Sequence, residues 1–227
     1  MQTLTISRSR DAEFAASLRG FGPAGIVAML AVLAGNAIFL PGSAALVLLW
    51  VWRSRTPWRE IGYVPPASWF RTVTIGILFG VAFKMLMKAL VMPLLGAPET
   101  NQAFHYLAGN RGAIPYALYA MVVGAGFGEE TVFRGYLFER FGTLLGPGAG
   151  AKLVIVLLTS TWFGLDHYAM QGLAGAEQAT IVGLVFGTIM AVTGRIWVLM
   201  IAHAAFDLTA YAIIYWGFES AVAHLIF

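Results

Sequence analysis

Long apolar runs separated by short polar segments extend along most of the chain. The first run, residues 20–52, would be about 50 Å long as a single helix, which exceeds the apolar layer of a membrane, about 30 Å thick. Pro41 and Gly42 interrupt this run near its middle, so it predicts two short helices joined by a tight turn. The other runs predict five further membrane helices, at 69–95, from 113 onward, and at 153–165, 178–194 and 196–218.

The polar segments between these runs predict the loops and the orientation of the chain. Residues 53–68, 96–112 and 166–177 are rich in polar residues, proline or glycine, and we expect them to form loops. If the N-terminus lies inside, eleven Lys and Arg residues fall on the inner side and Arg111 alone falls outside, while Lys84 and Lys88 lie within the third span. This bias is typical of integral membrane proteins. It predicts about seven spans (six to eight), an eighth being a half-span at the C-terminus.

The composition is also that of an integral membrane protein. Of the 227 residues, 59% are hydrophobic and 11% are charged, whereas a soluble domain carries about 25% charged residues. We expect an all-α, polytopic helical bundle forming a single domain, residues 1–227, with a polar N-terminal segment, 1–19, that does not resemble a cleaved signal peptide. The net charge of +3 is expected to set orientation and not to bind nucleic acid. The alanine- and glycine-rich spans favour a bacterial cytoplasmic membrane, and the lack of cysteine excludes disulfides and thiolate ligands.

Two adjacent carboxylates, Glu129 and Glu130, follow the uncharged run 113–128. Such a run would place both carboxylates within the membrane. Charged side chains there are costly unless they are paired or hydrated, so they mark candidate functional sites. Glu130 lies four residues before Arg134, on the same helical face, which predicts a buried ion pair. Glu129 has no such local cation. It therefore needs a partner from another helix, a metal ion or water.

Two further pairs with the same spacing lie in other apolar helices, Phe163 with His167 and His203 with Asp207. Taken alone, each pair also fits a purely structural role. His167 could be an interface residue, and Asp207 could simply accept a hydrogen bond from His203. If the three helices converge within 113–210, however, a carboxylate and two imidazoles share one pocket. Such groups suit the activation of water for hydrolysis.

Two lysines lie within the third predicted span, Lys84 and Lys88. Their spacing places both ammonium groups on one helical face. We expect them to extend toward the outer surface, the alternative being that they bind a peptide carboxylate. Gly76 and Gly80 in the same span are typical of close helix packing.

Three sequence blocks together resemble the CAAX prenyl protease and bacteriocin-processing family of intramembrane proteases, also called the Abi family. The blocks run from Glu129 to Gly135, from Phe163 to His167 and from His203 to Asp207, and the likeness covers roughly residues 58–210. The resemblance implies a helical bundle whose active site lies below the membrane surface. It also implies that the protein hydrolyses a peptide bond in a peptide or protein substrate, near a C-terminus that is lipidated in some family substrates.

The resemblance further implies roles for individual residues. Glu129 would be the general base on water, and Glu130 would orient a histidine or pair with Arg134. His167 would position the water, and His203 would stabilise the oxyanion. Members of the family are described as metalloproteases, which would place a divalent metal such as zinc on Glu129, His167 and His203. A metal-free mechanism based on glutamate is the alternative.

Two features depart from this pattern. Asp207 stands where related prenyl proteases carry asparagine, and an ionised aspartate cannot donate to an oxyanion, so we expect it to orient His203 or complete a metal site. The simple topology also places Glu129 toward the inner side and His167 toward the outer side, about 10 to 15 Å apart in depth. Because the run 153–165 is short for a span, we expect the turn at 142–150 to re-enter the membrane.

Two other functions remain open from the sequence. The same fold could serve as a non-catalytic membrane scaffold or immunity protein, since fold does not determine function. The buried carboxylates could also belong to a small transporter, although the chain shows no inverted repeat and no pair of broken helices.

Overall fold

The computed structural model describes the backbone of residues 2–226 and the side chains of residues 10–226. Its described part is helical and contains no strand, in agreement with the predicted all-α class. Three short 3-10 turns lie between the helices, at Trp58–Ile61, Gln102–Leu107 and Arg111–Ala113. The helices are α1 (Gln2–Arg19), α2 (Pro23–Ile38), α3 (Leu40–Ser54), α4 (Trp69–Leu94, with a π-helical stretch at Met87–Val91), α5 (Ile114–Tyr119), α6 (Leu137–Leu145), α7 (Ala149–Thr193), α8 (Trp197–Tyr215) and α9 (Glu219–Ala223), and a π-helix (Ala120–Tyr136) joins α5 to α6.

The first apolar run forms two helices, as its length predicted. The break lies at Phe39, whose backbone is extended (φ −155°, ψ 93°) between the end of α2 and the start of α3. Pro41 favours this break. Proline has no amide hydrogen, and it is tolerated in the first turn of a helix because the amide hydrogens there have no partner within the helix. The two helices have 16 and 15 residues, so each is shorter than the roughly 20 residues that cross an apolar layer upright.

The segment 166–177 is helical except at Gly172, so the loop that we predicted there is only a sharp turn, while the two helices predicted on either side of it are both present. A single residue, Gly172, departs from helical geometry (φ 65°, ψ −162°) and divides α7 into two helices. These pack against each other, because Nζ of Lys152 donates to the carbonyl oxygen of Ala191 and a Cβ atom added at Gly183 would lie 2.9 Å from Cα of Ser160. Glycine adopts this left-handed backbone without steric cost, so one position can change the helix direction. Gly175, by contrast, is buried within the helix that follows. Gly172 therefore reverses the chain direction, and the two halves of α7 form a helical hairpin.

Close approach of helix backbones brings the polar segments together. A Cβ atom added at Gly80 of α4 would overlap the carbonyl oxygen of Ala202 in α8. A Cβ atom added at Gly126 of the π-helix would lie 2.8 Å from the carbonyl oxygen of Met200, also in α8. These contacts explain why small residues occupy both positions. They hold α8 against α4 on one side and against the glutamate-bearing helix on the other.

Three helices in the described part of the chain, α4, α7 and α8, are long and apolar enough to cross a membrane. A fourth span results if the bent pair Arg10–Arg19 and Pro23–Ile38, at 56°, crosses as one unit. The structure thus agrees with a helical membrane protein. Seven spans and an inner N-terminus stay predictions.

Candidate active site

Glu130 lies at the centre of the site and is fully buried. Its Oε1 accepts hydrogen bonds from Nη1 of Arg134 at 2.9 Å and from Nδ1 of His203 at 2.7 Å. The first contact is the ion pair that the spacing predicted. The second joins the π-helix to α8. A buried carboxylate is stable only when charged partners and hydrogen bonds replace its water, and these two donors meet that need.

The guanidinium of Arg134 is enclosed by aromatic rings. It lies 4.5 Å from the centroid of Phe163 and 5.8 Å from that of Phe186. Attraction between the cation and the ring faces adds to the ion pair with Glu130. Arg134 is therefore held in place from three sides.

The two ring nitrogens of His203 contact different carboxylates. Nδ1 donates to Glu130, while Nε2 lies 3.5 Å from Oε2 of Glu129 and 3.9 Å from Oδ2 of Asp207. The orienting partner is thus Glu130. The prediction that Asp207 would accept a hydrogen bond from His203 is wrong, because 3.9 Å is too long for one. Helical spacing suggested Asp207 as the partner that orients His203. The actual partner, Glu130, is determined by how α8 packs against the π-helix.

Glu129 differs from Glu130 in having no permanent cation at its carboxylate. Its side chain is 17% exposed, and its ion-pair contact in the described part of the chain is with His203. Oε2 is buried and accepts no hydrogen bond from the residues that the structure describes. An acceptor of this kind is costly to bury without a donor. It is the group in the site that most needs a polar partner from outside the protein.

His167 joins the same cluster through Phe163. Its Nδ1 donates to the carbonyl oxygen of Phe163 at 2.8 Å, which leaves Nε2 free. The Phe163 ring packs against both imidazoles, with centroids 4.6 Å from His167 and 6.0 Å from His203. The ring of Phe163 therefore brings His167 next to the histidine that contacts Glu129, although the simple topology placed Glu129 and His167 at different depths.

Lys84 is buried, and the prediction that it would extend to the outer surface is wrong. It is 7% exposed, and its Nζ donates to Oε1 of Gln178 at 3.0 Å. Its position follows from the packing of α4 on α8. Gly76, Gly80 and Lys84 recur at intervals of four residues, so they share the face that meets α8. This stripe was a signal in the sequence that Lys84 points inward.

Lys88, one turn beyond Lys84, meets a different polar group near the end of α4. Its Nζ contacts the carbonyl oxygen of Glu99 and lies 4.0 Å from Oε1 of Glu219. It therefore ties α4 to the following loop and to α9, away from Glu130 and His203.

The loop before α4 supports the glutamate helix. The hydroxyl of Tyr63 lies 2.8 Å from Oγ1 of Thr131, which in turn donates to the carbonyl oxygen of Phe127. Burial raises the pKa of Tyr63 to about 12, partly offset by the hydrogen bond with Thr131. Tyr63 therefore stays a neutral phenol at physiological pH. Motif spacing within single helices could not show this contact.

The residues that the resemblance suggested for a metal are Glu129, His167 and His203. In the residues that the structure describes, no three His, Asp or Glu side chains are arranged to hold a metal ion. His203 uses Nδ1 for Glu130, and His167 uses Nδ1 for a backbone carbonyl. These bonds leave Nε2 of both histidines free, as metal-ligating histidines commonly have it, but the described residues do not assemble the predicted set, and a metal cofactor stays a prediction from the resemblance.

Comparison with known proteins finds one family model that matches less than half of the chain. No curated protein and no solved structure matches it. The family match begins after the segment 58–110, so the likeness proposed for that segment lies outside it. Together with the apolar helices, the match supports an integral membrane endopeptidase with a peptide or protein substrate. It confirms the resemblance deduced from the three blocks: residues 111–209 match the family model of Rce1-like type II CAAX prenyl endopeptidases.

Proposed function

We propose that this protein is an intramembrane endopeptidase in which Glu129 activates water to hydrolyse a peptide bond near the C-terminus of a substrate. One observation carries the proposal. The buried Oε2 of Glu129 lacks a hydrogen-bond donor and lies 3.5 Å from Nε2 of His203, whose other nitrogen is fixed by Glu130. A carboxylate that lacks a donor, beside an oriented imidazole, is a suitable pair for a general base and an oxyanion stabiliser.

The first chemical step follows from these positions. Glu129 takes a proton from a water molecule, and the resulting hydroxide attacks the carbonyl carbon of the scissile peptide bond. The carbonyl oxygen becomes an oxyanion. In its imidazolium form, His203 donates through Nε2 to that oxyanion while Nδ1 keeps its bond to Glu130. The free Nε2 of His167 is available to hold the attacking water.

The second step returns the proton. The tetrahedral intermediate collapses, the C–N bond breaks, and Glu129 transfers its proton to the leaving amine. The products are a new carboxyl terminus and a released peptide. Glu130 and Arg134 do not touch the reacting atoms in this scheme. They act by holding the His203 ring in orientation.

The substrate class rests on the family match. We propose a peptide with a CAAX-type C-terminus, and we expect prenylation of its cysteine to improve binding in the membrane. The other functions considered above, a scaffold and a transporter, have no particular contact in the structure in their favour. Neither function explains why Oε2 of Glu129, which lacks a donor, faces the oriented ring of His203.

The test is cleavage of a fluorogenic farnesylated CAAX peptide by the protein in proteoliposomes. Glu129→Gln removes the base and keeps the shape of the side chain, so we expect kcat to fall by about 10²- to 10⁴-fold. Glu99→Gln is the matched control, because Glu99 is half exposed and contacts Ser220 and His224, away from the site. Wild-type turnover by the Glu129 variant, or no cleavage by the wild type of this peptide and its unprenylated form, would refute the proposal.

A further inference from the structure

We infer that the end of the bundle at which α4 and α8 begin binds the headgroup of an anionic phospholipid from the surrounding bilayer. Three exposed arginines, Arg59, Arg71 and Arg195, hold the lipid phosphate, and a row of aromatic rings beside them lies at the level of the headgroups. The inference concerns the membrane around the protein, so it does not rest on the proposed function.

Four aromatic side chains at this end form a continuous row of ring contacts. The ring centroids of Trp58 and Tyr63 are 5.8 Å apart, and Tyr63 lies 4.9 Å from Trp197, the first residue of α8. Trp197 in turn lies 5.4 Å from Trp69, the first residue of α4. Trp58 and Trp69 are 45% and 51% exposed, and Phe70 is 80% exposed. Exposed aromatic rings of this kind are typical of the boundary between the apolar layer and the headgroups.

The contacts of this row bring together three arginines that are distant in the sequence. Arg59 lies in the 3-10 turn before α4, Arg71 in the first turn of α4, and Arg195 just before α8. The amide of Ile196 donates to the carbonyl oxygen of Gly62 at 3.0 Å, which joins the start of α8 to the 3-10 turn. The three side chains therefore lie at one end of the bundle.

These three guanidinium groups lack an acidic partner. Two other arginines at this end are paired, Arg19 with Glu60 and Arg140 with Glu139. Within the residues that the structure describes, the three arginines form no ion pair and no side-chain hydrogen bond, and all three are exposed. Clusters of basic residues beside a membrane helix attract anionic headgroups, and a guanidinium matches a phosphate with two parallel donors.

A phospholipid fits this surface better than a soluble anion does. The arginines alone would suit any phosphate, but Arg71 follows directly after Trp69 and Phe70, whose exposed rings offer apolar area that a free anion does not use. A lipid presents a phosphate and apolar chains on one molecule. It also lies outside the candidate active site, because His203 is six residues beyond Trp197, about 9 Å along α8.

The experiment is native mass spectrometry of the detergent-purified protein with equal concentrations of phosphatidylglycerol and phosphatidylcholine that carry the same acyl chains. We expect phosphatidylglycerol to bind at least about tenfold more tightly, since each arginine near a membrane surface contributes about fivefold to the binding of an anionic lipid. The triple variant Arg59→Gln, Arg71→Gln, Arg195→Gln should lose this preference. Arg111→Gln is the matched control that should keep it, because Arg111 is also exposed but lies beyond the other end of α4.

Thermal unfolding provides a second readout. Phosphatidylglycerol should raise the unfolding temperature of the wild type and of Arg111→Gln, and not that of the triple variant. Without lipid, the triple variant should unfold within about 3 °C of wild type, because exposed side chains contribute little to stability. Each single variant should lower the preference by about fivefold, which tests the inference even where the triple variant is less stable.

Three results would overturn the inference. They are equal binding of the two lipids by the wild type, an equal loss of preference in Arg111→Gln, and displacement of phosphatidylglycerol by glycerol 3-phosphate, which would identify the ligand as a soluble anion. No substrate is present in these measurements. Their outcome is therefore separate from whether the protein cleaves a peptide.

Discussion

Arg134 provides a strong test of the buried charges, because its removal leaves Glu130 in an apolar interior with one partner. Glu130 is fully buried, its Oε2 already has no donor, and Oε1 is shared between Arg134 and His203. In Arg134→Met, the side chain keeps its approximate length and loses both the ion pair and the contact with the Phe163 ring. Breaking a buried ion pair from one side costs about 3–5 kcal/mol. The lost cation–π contact adds roughly 0.5–2 kcal/mol.

These energies are a large part of the stability of a typical domain, about 5–15 kcal/mol. For a chain of this size the two energies together correspond to a decrease of roughly 7–28 °C in unfolding temperature. Thermal unfolding of the purified protein in detergent measures the decrease directly. Combining Arg134→Met with Glu130→Gln removes the uncompensated charge, so it should recover more than half of the loss. A single Arg134→Met variant that unfolds within about 2 °C of wild type would refute the reasoning.

Three further predictions concern the packing, the water site and the topology. Gly80→Leu should lower the unfolding temperature and abolish cleavage, because a side chain there overlaps α8 and overpacking costs about 1–3 kcal/mol or more. Gly142→Leu, whose side chain meets open space, is the control. Equal behaviour of the two variants would contradict this account. His167→Ala should lower kcat by about 100-fold with little change in unfolding temperature, and full turnover would exclude a role in holding water. Gly148→Cys introduces the sole thiol of the chain; it should resist a membrane-impermeant thiol reagent if the turn re-enters the membrane, and complete labelling from inside would show that it does not.

Contacts within one helix could be predicted from the sequence because helical spacing determines them. Glu130 with Arg134 and Phe163 with His167 are four residues apart, and both pairs are in contact in the structure. The division of the first apolar run into two helices was likewise predicted from its length, although the break lies at Phe39 and not at Pro41 and Gly42, which are in the first turn of α3. In these cases the local geometry of the chain leaves few alternatives.

Contacts between helices were harder to predict, because they depend on which faces pack. The bond from His203 to Glu130 crosses from α8 to the π-helix, and spacing within α8 pointed to Asp207 instead. The inward direction of Lys84 depends on the packing of α4 on α8, which the glycine stripe indicated only indirectly. The reversal at Gly172 was predicted as a longer loop, because the sequence does not show that one glycine with a positive φ is enough to turn the chain between two helices.

The most direct measurement is an experimental structure of the Glu129→Gln variant with an uncleaved farnesylated CAAX peptide bound. The account predicts that the scissile carbonyl carbon lies beside position 129, with its oxygen directed at Nε2 of His203 and with Nδ1 of that ring still bonded to Glu130. A peptide bound at another face of the bundle, or a His203 ring turned away from both carboxylates, would contradict it.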